Sequence, residues 1–372
     1  MTAPQPQTSY VSDRPRARPL EGIKVIDFST LLPGPLASLM LADAGASVIK
    51  IERPGTGDDM RGYEPRLGSD SANFILLNRG KDNRVVDLKS PEGHATVLAL
   101  LADADVLIEQ FRPGVMGRLG LSYNELSKSN PGLIYCSITG YGQNGPKAQL
   151  AAHDLNYVGD TGMLSLTTDK DGTPSIPAIA LADIGGGAYP AMLNITLALV
   201  ERAKTGRGRH LDIAMSENVF PFLYWALGNH LSGFPPRPSD ELTTGGSPRY
   251  AIYRTKDDRF LVAAPLEDKF WSNFCSILDV PTSSGKDEIA RQIATRKADE
   301  WMSLFEGKDV CCSIVRTIEE ALLDEHFRAR GCFERYTAIA EESVLGLPLP
   351  IERHFADIGT VRNVPSIEPT AD

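Results

Sequence analysis

The sequence predicts an α/β fold, a large Rossmann-like domain with a parallel sheet followed by a smaller α+β domain. Three observations predict it. Short apolar runs ending in polar residues alternate with helical text as far as Gly233, the pattern of parallel β-α-β units with right-handed crossovers. A polar stretch rich in Pro and Gly, Phe234 to Arg249, then breaks that pattern and reads as a linker or loop. At 372 residues the chain exceeds what one hydrophobic core usually organises, so a large domain with a smaller one is the natural division.

The elements follow in order. "GIKVIDFST" is a strand, and "LLPGPLASLMLADAG" is a helix that Pro35 can start and Gly45 can end. "ASVIKIE" and "NRVVDLKS" are strands, "PEGHATVLALLAD" a helix opened by Pro91, and "ADVLIEQF" a strand. "SYNELSKSNPG" is a short helix and "LIYCSITGYG" a strand. From Gly185, "GGGAYPAMLNITLALVERAKTG" is a long apolar helix stopped by Gly206, then "RHLDIAM" a strand and "SENVFPFLYWALGNHLSG" a helix. Past the linker, "YAIYRTKDDRFLVAAP" alternates about an Asp-Asp turn and reads as a hairpin. Helical text runs from Glu267 to about Arg335, and a Pro-broken extended tail begins at Leu345. The division is a flexible arm at 1–18, a large domain at 19–233 completed by 340–372, a linker and glycine loop at 234–249, and a small domain at 250–339.

Composition excludes several classes. A net charge of −10 argues against nucleic-acid partners, which need a cationic surface. Five cysteines form no CxxC pair and six histidines no HxxxH pair, so a zinc centre lacks its parts and the cysteines read as reduced thiols. The N-terminus has no apolar core of a signal peptide, and no apolar run reaches spanning length. A cytoplasmic protein with no membrane partner and no metal is expected.

Parallel sheets bind ligands at the carboxyl ends of their strands. "GYGQNG", Gly140 to Gly145, matches G-x-G-x-x-G after a strand, but Pro146 follows where a dinucleotide-binding helix should open. A turn that lets backbone approach a neighbour is the better reading. Arg53, Arg79, Lys81, Arg112, Arg118 and Lys147 cluster in the loops on the ligand side. On an acidic chain they suggest a phosphorylated ligand, although each alone also reads as a surface charge. Asp183 in "ALADIGGG" reads as a helix N-cap, or as a carboxylate beside glycines that let a ligand approach backbone N–H groups. His153 in "AAHDLNYVGDTGM" is either a buried structural imidazole or a proton carrier. No G-x-S-x-G supplies a serine nucleophile.

"LEGIKVIDFSTLLPGPLASLMLADAGASVIKIERPGTGD", "LNRGKDNRVVDLKSPEG", "ADVLIEQFRPGVMGRLGLSY" and "LIYCSITGYGQNGP" closely resemble the family III CoA-transferase superfamily (CaiB/BaiF type), which also holds the alpha-methylacyl-CoA racemases. The resemblance runs from about Pro19 to Arg335. "AAHDLNY" and "LADIGGG" look like the racemase branch, so that His153 and Asp183 match its proton carriers. Asp183 is also the nucleophile position of the transferases, so His153 is the residue that discriminates. "TGGSPRYAIYRTKDDRFLVAAPLEDKFW" places Glu267 where a racemase glutamate meets the histidine from the partner subunit. The chain departs from the racemase pattern at "LEDKFW" and "CCSIV".

The resemblance implies an acyl-CoA racemase or epimerase acting on a 2-methylacyl-CoA-like thioester, with CoA transfer through Asp183 as the alternative. It implies that Arg53, Arg79, Lys81, Arg112 and Arg118 meet CoA phosphates or adenosine. Backbone from Val86 to Lys89 and Tyr157 would line the adenine. In a transferase, Gly245 and Gly246 would form the glycine loop. No cofactor beyond the CoA of the substrate is implied, and the assembly implied is an interlocked homodimer.

Overall fold

The computed structural model describes residues 18–169 and 171–367. The arm expected at 1–18 lies outside them save for Arg18. The described chain forms two compact units. The first runs to Leu150 and takes in Asp183–Met215 and the chain from Phe333; the second is Ala151–Ala182 with Ser216–Cys332.

In chain order, β1 (Lys24–Asp27) leads to α1 (Pro33–Asp43) and β2 (Ser47–Glu52). Helix α1 starts at Pro33, two residues earlier than the sequence suggested, and is buried on nearly every side, as an apolar helix without a polar face must be. The short pair β3 (Arg66–Leu67) and β4 (Asp70–Ser71) and helix α2 (Ala72–Asn78) precede β5 (Asp82–Val85). The Ser71 hydroxyl caps α2 by accepting from the Asn73 N–H. Then come α3 (Pro91–Leu101), opened by Pro91 and capped by Ser90, β6 (Val106–Glu109), α4 (Val115–Arg118), α5 (Tyr123–Ser129) and β7 (Ile134–Thr139).

Helix α6 (Asp154–Asp160) precedes a π-helix, Ala182–Ala188, that runs into α7 (Tyr189–Thr205) and β8 (His210–Ala214). Gly206 ends α7 in the left-handed conformation, as read from the sequence. The single helix expected after β8 is split. Pro221 sits in a 3-10 stretch, Glu217–Leu223, and only α8 (Tyr224–Leu231) is α-helical, because proline lacks the N–H and crowds the preceding turn.

Strands β5-β2-β1-β6-β7-β8 form one parallel sheet. This is the doubly wound order 3-2-1-4-5-6, whose direction reverses between β1 and β6, where such folds bind ligands at the strands' carboxyl ends. One face packs Ile26, Leu107, Tyr135, Val97 and Leu101 into a core.

The hairpin expected after the linker is β9 (Ala251–Arg254) with β10 (Phe260–Ala263), pairing Arg254 with Phe260. Asp258 takes a left-handed φ of 60° in the turn. Helices α9 (Asp268–Leu278), α10 (Lys286–Ile293) and α11 (Ala298–Phe305) follow, then β11 (Cys312–Ile314), α12 (Ile318–Leu323) and α13 (Glu325–Ala329). Strand β11 interrupts the expected helical run and completes an antiparallel β11-β10-β9 sheet over a core of Trp271, Phe274, Trp301 and Phe305. The tail is not wholly extended coil: β12 (Tyr336–Ile339), β13 (Glu342–Leu345) and β14 (Val361–Arg362) form a third small sheet.

The compact units differ from the division drawn at Gly233. The first closes at Met215, directly after β8, and Ser216 onward joins the second. Composition changes at Phe234, but the sheet is already complete at Ala214.

Candidate active site

The strand exits of the first unit rest on buried charge. Asp27, last residue of β1, accepts from the Ser29 N–H at 2.9 Å and from the hydroxyls of Ser29 and Ser38. Lys50 of β2 donates to the Ser29 carbonyl at 2.6 Å and pairs with Asp58 at 2.8 Å. Lys81 donates to the Pro35 carbonyl and to Asn78 Oδ1, both at 2.8 Å, with Asp27 at 3.7 Å. Burial alone would raise the Asp27 carboxyl, but Lys50, Lys81 and the two hydroxyls hold it below the usual range. Burial dominates at Lys81, whose ammonium is pushed down to about 7 against the pull of Asp27. Arg61 grips Glu52 through Nε at 2.7 Å and Nη2 at 2.8 Å. That pairing keeps Glu52 below its ordinary value despite burial.

Two of the cations expected to meet CoA lie inside this network. Arg79 and Lys81 are buried rather than presented to a ligand: Arg79 bonds Asp43 at 2.5 Å beside Arg335, and Lys81 is sealed under α1. Drawing either cation away from its partners would strand a buried charge. Arg53 is different. It stands exposed after β2, donating to Thr56 Oγ1 at 2.7 Å and paired with Asp59. Lys89, Arg112 and Arg118 are also exposed. Val86 is buried, and its N–H is taken by the Glu52 carbonyl at 2.8 Å.

The exits of β1 and β6 are tied to the start of α1. Leu31 holds a left-handed φ of 63°, unusual for a branched side chain, and its N–H donates to Asp58 Oδ1 at 3.0 Å. Gln110 Oε1 accepts from the Gly34 N–H at 3.0 Å. Gly34 admits no side chain, since a Cβ would lie 2.1 Å from Ser29. In "GYGQNG" no helix follows the glycines. Gly142 donates to Thr139 Oγ1 at 3.0 Å and the Gln143 N–H to the Asp212 carboxylate at 3.0 Å. The loop is fastened to β7 and β8 as a turn.

Asp183 is half-buried in the first turn of the π-helix, not at the start of a regular α-helix. His153 is exposed at the N-cap of α6, with its own N–H donating to Asn156 Oδ1 at 3.0 Å, so the buried-imidazole reading does not hold within this chain. Asp154 is the first residue of α6. Tyr157 is buried, its hydroxyl donating to the Ala152 carbonyl at 2.7 Å. Glu267 is exposed at the N-cap of α9, its carbonyl accepting from the Trp271 N–H at 3.0 Å. Among the described residues, neither a hydrogen bond nor an ion pair joins His153 to Glu267 within one chain. Gly245 has a φ of 87° and its carbonyl accepts from Lys286 Nζ at 2.5 Å. Gly246 closes the turn with its N–H on the Glu241 carbonyl at 2.8 Å.

Sequence reasoning passed over one group. Glu109, Ser137 and Asp212 are in register across β6, β7 and β8, and the Ser137 hydroxyl meets His210 Nε2 at 3.0 Å. Burial pushes the Glu109 carboxyl up to about 7, against the Ser137 hydroxyl and the Phe111 N–H; the nearby Asp212 charge adds to the rise. Burial also lowers the His210 imidazole. Glu109 and Ser137, polar residues buried in the apolar strands β6 and β7, were the available signal.

The model of CoA-transferase family III matches residues 20–367. Among curated proteins, the alpha-methylacyl-CoA racemase of Homo sapiens is 33% identical over 94% of this chain and 90% of its own length. The succinate–glutarate CoA-transferase of Agrobacterium fabrum is 36% identical over 86% of each. A crystal structure of a CaiB/BaiF family protein from Brucella suis superposes with a TM-score of 0.80 at 30% identity, covering 94% of this chain and 96% of that one. The doubly wound sheet and the match over nearly the whole chain lead to one conclusion: the chain is an enzyme of CoA-transferase family III.

Proposed function

We propose that this enzyme inverts the α-carbon of a 2-methylacyl-CoA-like thioester by proton transfer through an enolate. The observation that carries the reading is the exposed imidazole of His153 in "AAHDLNY", in a chain that also has Asp183. A thioester acidifies its α-carbon because sulfur donates poorly into the carbonyl, and loss of the proton leaves a planar enolate without configuration. Inversion then needs one carrier on each face. His153 removes the proton from one enantiomer, and protonated Asp183 returns one on the other face, with the roles exchanged in reverse. Glu267 orients His153 across a homodimer and stabilises its charged form. Backbone N–H groups of the first π-turn stabilise the enolate oxygen.

The exposed cations Arg53, Lys89, Arg112 and Arg118 hold the phosphates and adenosine end of CoA, with Tyr157 near the adenine. The enzyme works in the cytoplasm with no cofactor beyond the substrate's CoA; among the described residues no helix is long and apolar enough to cross a membrane. An exposed apolar stripe along α7, Tyr189, Leu193, Leu197 and Val200, supports an assembly that covers it.

A second reading is CoA transfer between carboxylic acids, favoured by the equal standing of relatives named as transferases. Asp183 then attacks the thioester carbonyl, the CoA thiolate leaves, and a mixed anhydride forms. The thiolate returns to the aspartyl carbonyl and releases the first acid, giving an aspartyl-CoA thioester that the acceptor acid resolves. Gly245 and Gly246 would shield the anhydride. Incubating one enantiomer of a 2-methylacyl-CoA in deuterated water, with and without an acceptor acid, separates the two. α-Deuterium incorporation without acceptor, abolished by His153→Ala, supports racemisation. Acceptor-dependent CoA exchange with hydroxylamine-sensitive labelling of Asp183 overturns it.

A further inference from the structure

Asp183 lies in the π-helix Ala182–Ala188, which continues directly into α7. π-Turns are rare and concentrate at functional sites, so the question is what keeps this one in place. Two of its glycines meet chain that is itself anchored. A Cβ on Gly186 would stand 2.3 Å from the Met215 carbonyl oxygen and 3.2 Å from the carbonyl carbon. A Cβ on Gly187 would stand 3.0 Å from Pro33 Cβ and 3.1 Å from both Cγ and Sδ of Met215.

Neither neighbour is free to retreat. Met215 directly follows β8, and its N–H donates to the Thr139 carbonyl at 2.8 Å. Pro33 is the buried first residue of α1, whose next residue is pinned by Gln110. Neither Gly186 nor Gly187 has a positive φ, so glycine is not needed there for backbone angle. It is needed for room. The sequence suggested a ligand approaching these glycines; at Gly186 and Gly187 the close neighbour is the protein itself.

We propose that Gly186 and Gly187 are positioning residues for Asp183. They let the π-turn close onto Met215 and Pro33, which sets where the carboxylate stands. The inference rests on the reading that Asp183 is the reacting carboxylate, and it holds for either chemistry proposed above.

The two contacts differ in a way that can be tested. At Gly187 the crowding comes partly from the Met215 side chain, which Met215→Ala removes. At Gly186 it comes from a main-chain oxygen, which every residue at 215 keeps. Since a displacement of about 1 Å can cost ~100-fold in rate, Gly186→Ala should lower kcat by roughly that factor. Gly187→Ala should lower it ~10-fold, with KM for the thioester and Kd for CoA within ~2-fold in both. Adding Met215→Ala should return part of the Gly187→Ala loss and none of the Gly186→Ala loss.

Wild-type kcat in both alanine variants overturns the inference. So does a parallel loss of kcat, CoA binding and thermal stability in Gly187→Ala that Met215→Ala does not relieve, the mark of a purely structural role. If Gly186→Ala fails to fold, Gly187→Ala and its rescue carry the test. Asp183→Asn in the same assay keeps the two ideas apart. Activity retained in Asp183→Asn refutes the carboxylate reading itself, whereas activity lost there but kept in the glycine variants refutes only the positioning.

Discussion

Replacing Arg79 with methionine distinguishes a ligand-binding cation from one that holds the fold. Its side chain is 2% exposed and that of Asp43 0%, so water does not screen the pair. Asp43 Oδ1 accepts from Arg79 Nη2 at 2.5 Å, while Oδ2 accepts from Arg335 Nε at 3.1 Å and Nη2 at 2.9 Å. Arg79→Met therefore empties one carboxylate oxygen and leaves the other with two donors. A charge-assisted hydrogen bond contributes about 1.5–3 kcal/mol, and an uncompensated buried charge costs about 3–5 kcal/mol. Because Arg335 still compensates Asp43, the expected loss lies at the lower end, about 2–3 kcal/mol. Methionine keeps most of the stem that packs beneath Gly346, so little cavity cost adds to this. In a chain of this size that lowers Tm by roughly 3–4 °C. Thermal and urea unfolding measure it, with titration of CoA alongside. The exposed Arg53→Met is the control: Tm within about 1 °C, since surface changes cost about 0.5 kcal/mol or less, and weaker CoA binding. An Arg79→Met protein of unchanged stability but tenfold weaker CoA binding would refute the structural assignment.

Glu109→Gln tests the buried acid. The folded carboxyl titrates at about 7, above its ordinary 4.5, so the native state holds a proton that the unfolded chain releases. Stability is greatest at low pH and falls as pH rises through about 7, by roughly 3 kcal/mol over the window; Glu109→Gln should remove that slope, and parallel urea midpoints from pH 4.5 to 8 would contradict it. In the glycine loop, Gly245→Ala meets no atom within 4 Å and pays only for its left-handed φ, about 1 kcal/mol. Gly246→Ala places a Cβ 2.3 Å from the Asp240 carbonyl and must move the loop, so its steady-state rate should fall much further; equal rates in the two variants would show that the loop shape does not matter.

Strands β1, β2, β6 and β7 were legible because each is an apolar run ending at a polar exit, β5 and β8 from their place in the strand-helix alternation, and the hairpin because alternation flanks an Asp-Asp turn. What escaped was set by tertiary contact. Strand β11 is three residues long and forms only because Cys312 to Ile314 pair with Leu261 to Ala263, which no local pattern announces. The π-turn at Asp183 packs its glycines against Met215 and Pro33, about thirty residues downstream and about 150 upstream, so the glycine run could be seen but not its neighbour. The basic loops show the same limit. Arg53 and Arg79 both follow short elements near strand ends, yet only burial distinguishes the exposed ion from the one enclosed with Asp43.

The residues on which the two chemistries turn are unevenly divided along the chain. Asp183, which both proposed chemistries use, belongs to the first unit, where buried ion pairs hold the strand exits and Gly186 and Gly187 of the turn that carries it pack against Met215 and Pro33. His153, Glu267, Gly245 and Gly246 all belong to the second unit. On the reading proposed above, Asp183 supplies what either chemistry requires, and His153 decides whether the thioester loses its proton or its CoA. A rigidly packed carboxylate serves both outcomes, because neither a returned proton nor a nucleophilic attack tolerates a misplaced oxygen. The elements that differ between a racemase and a transferase need not be packed so tightly.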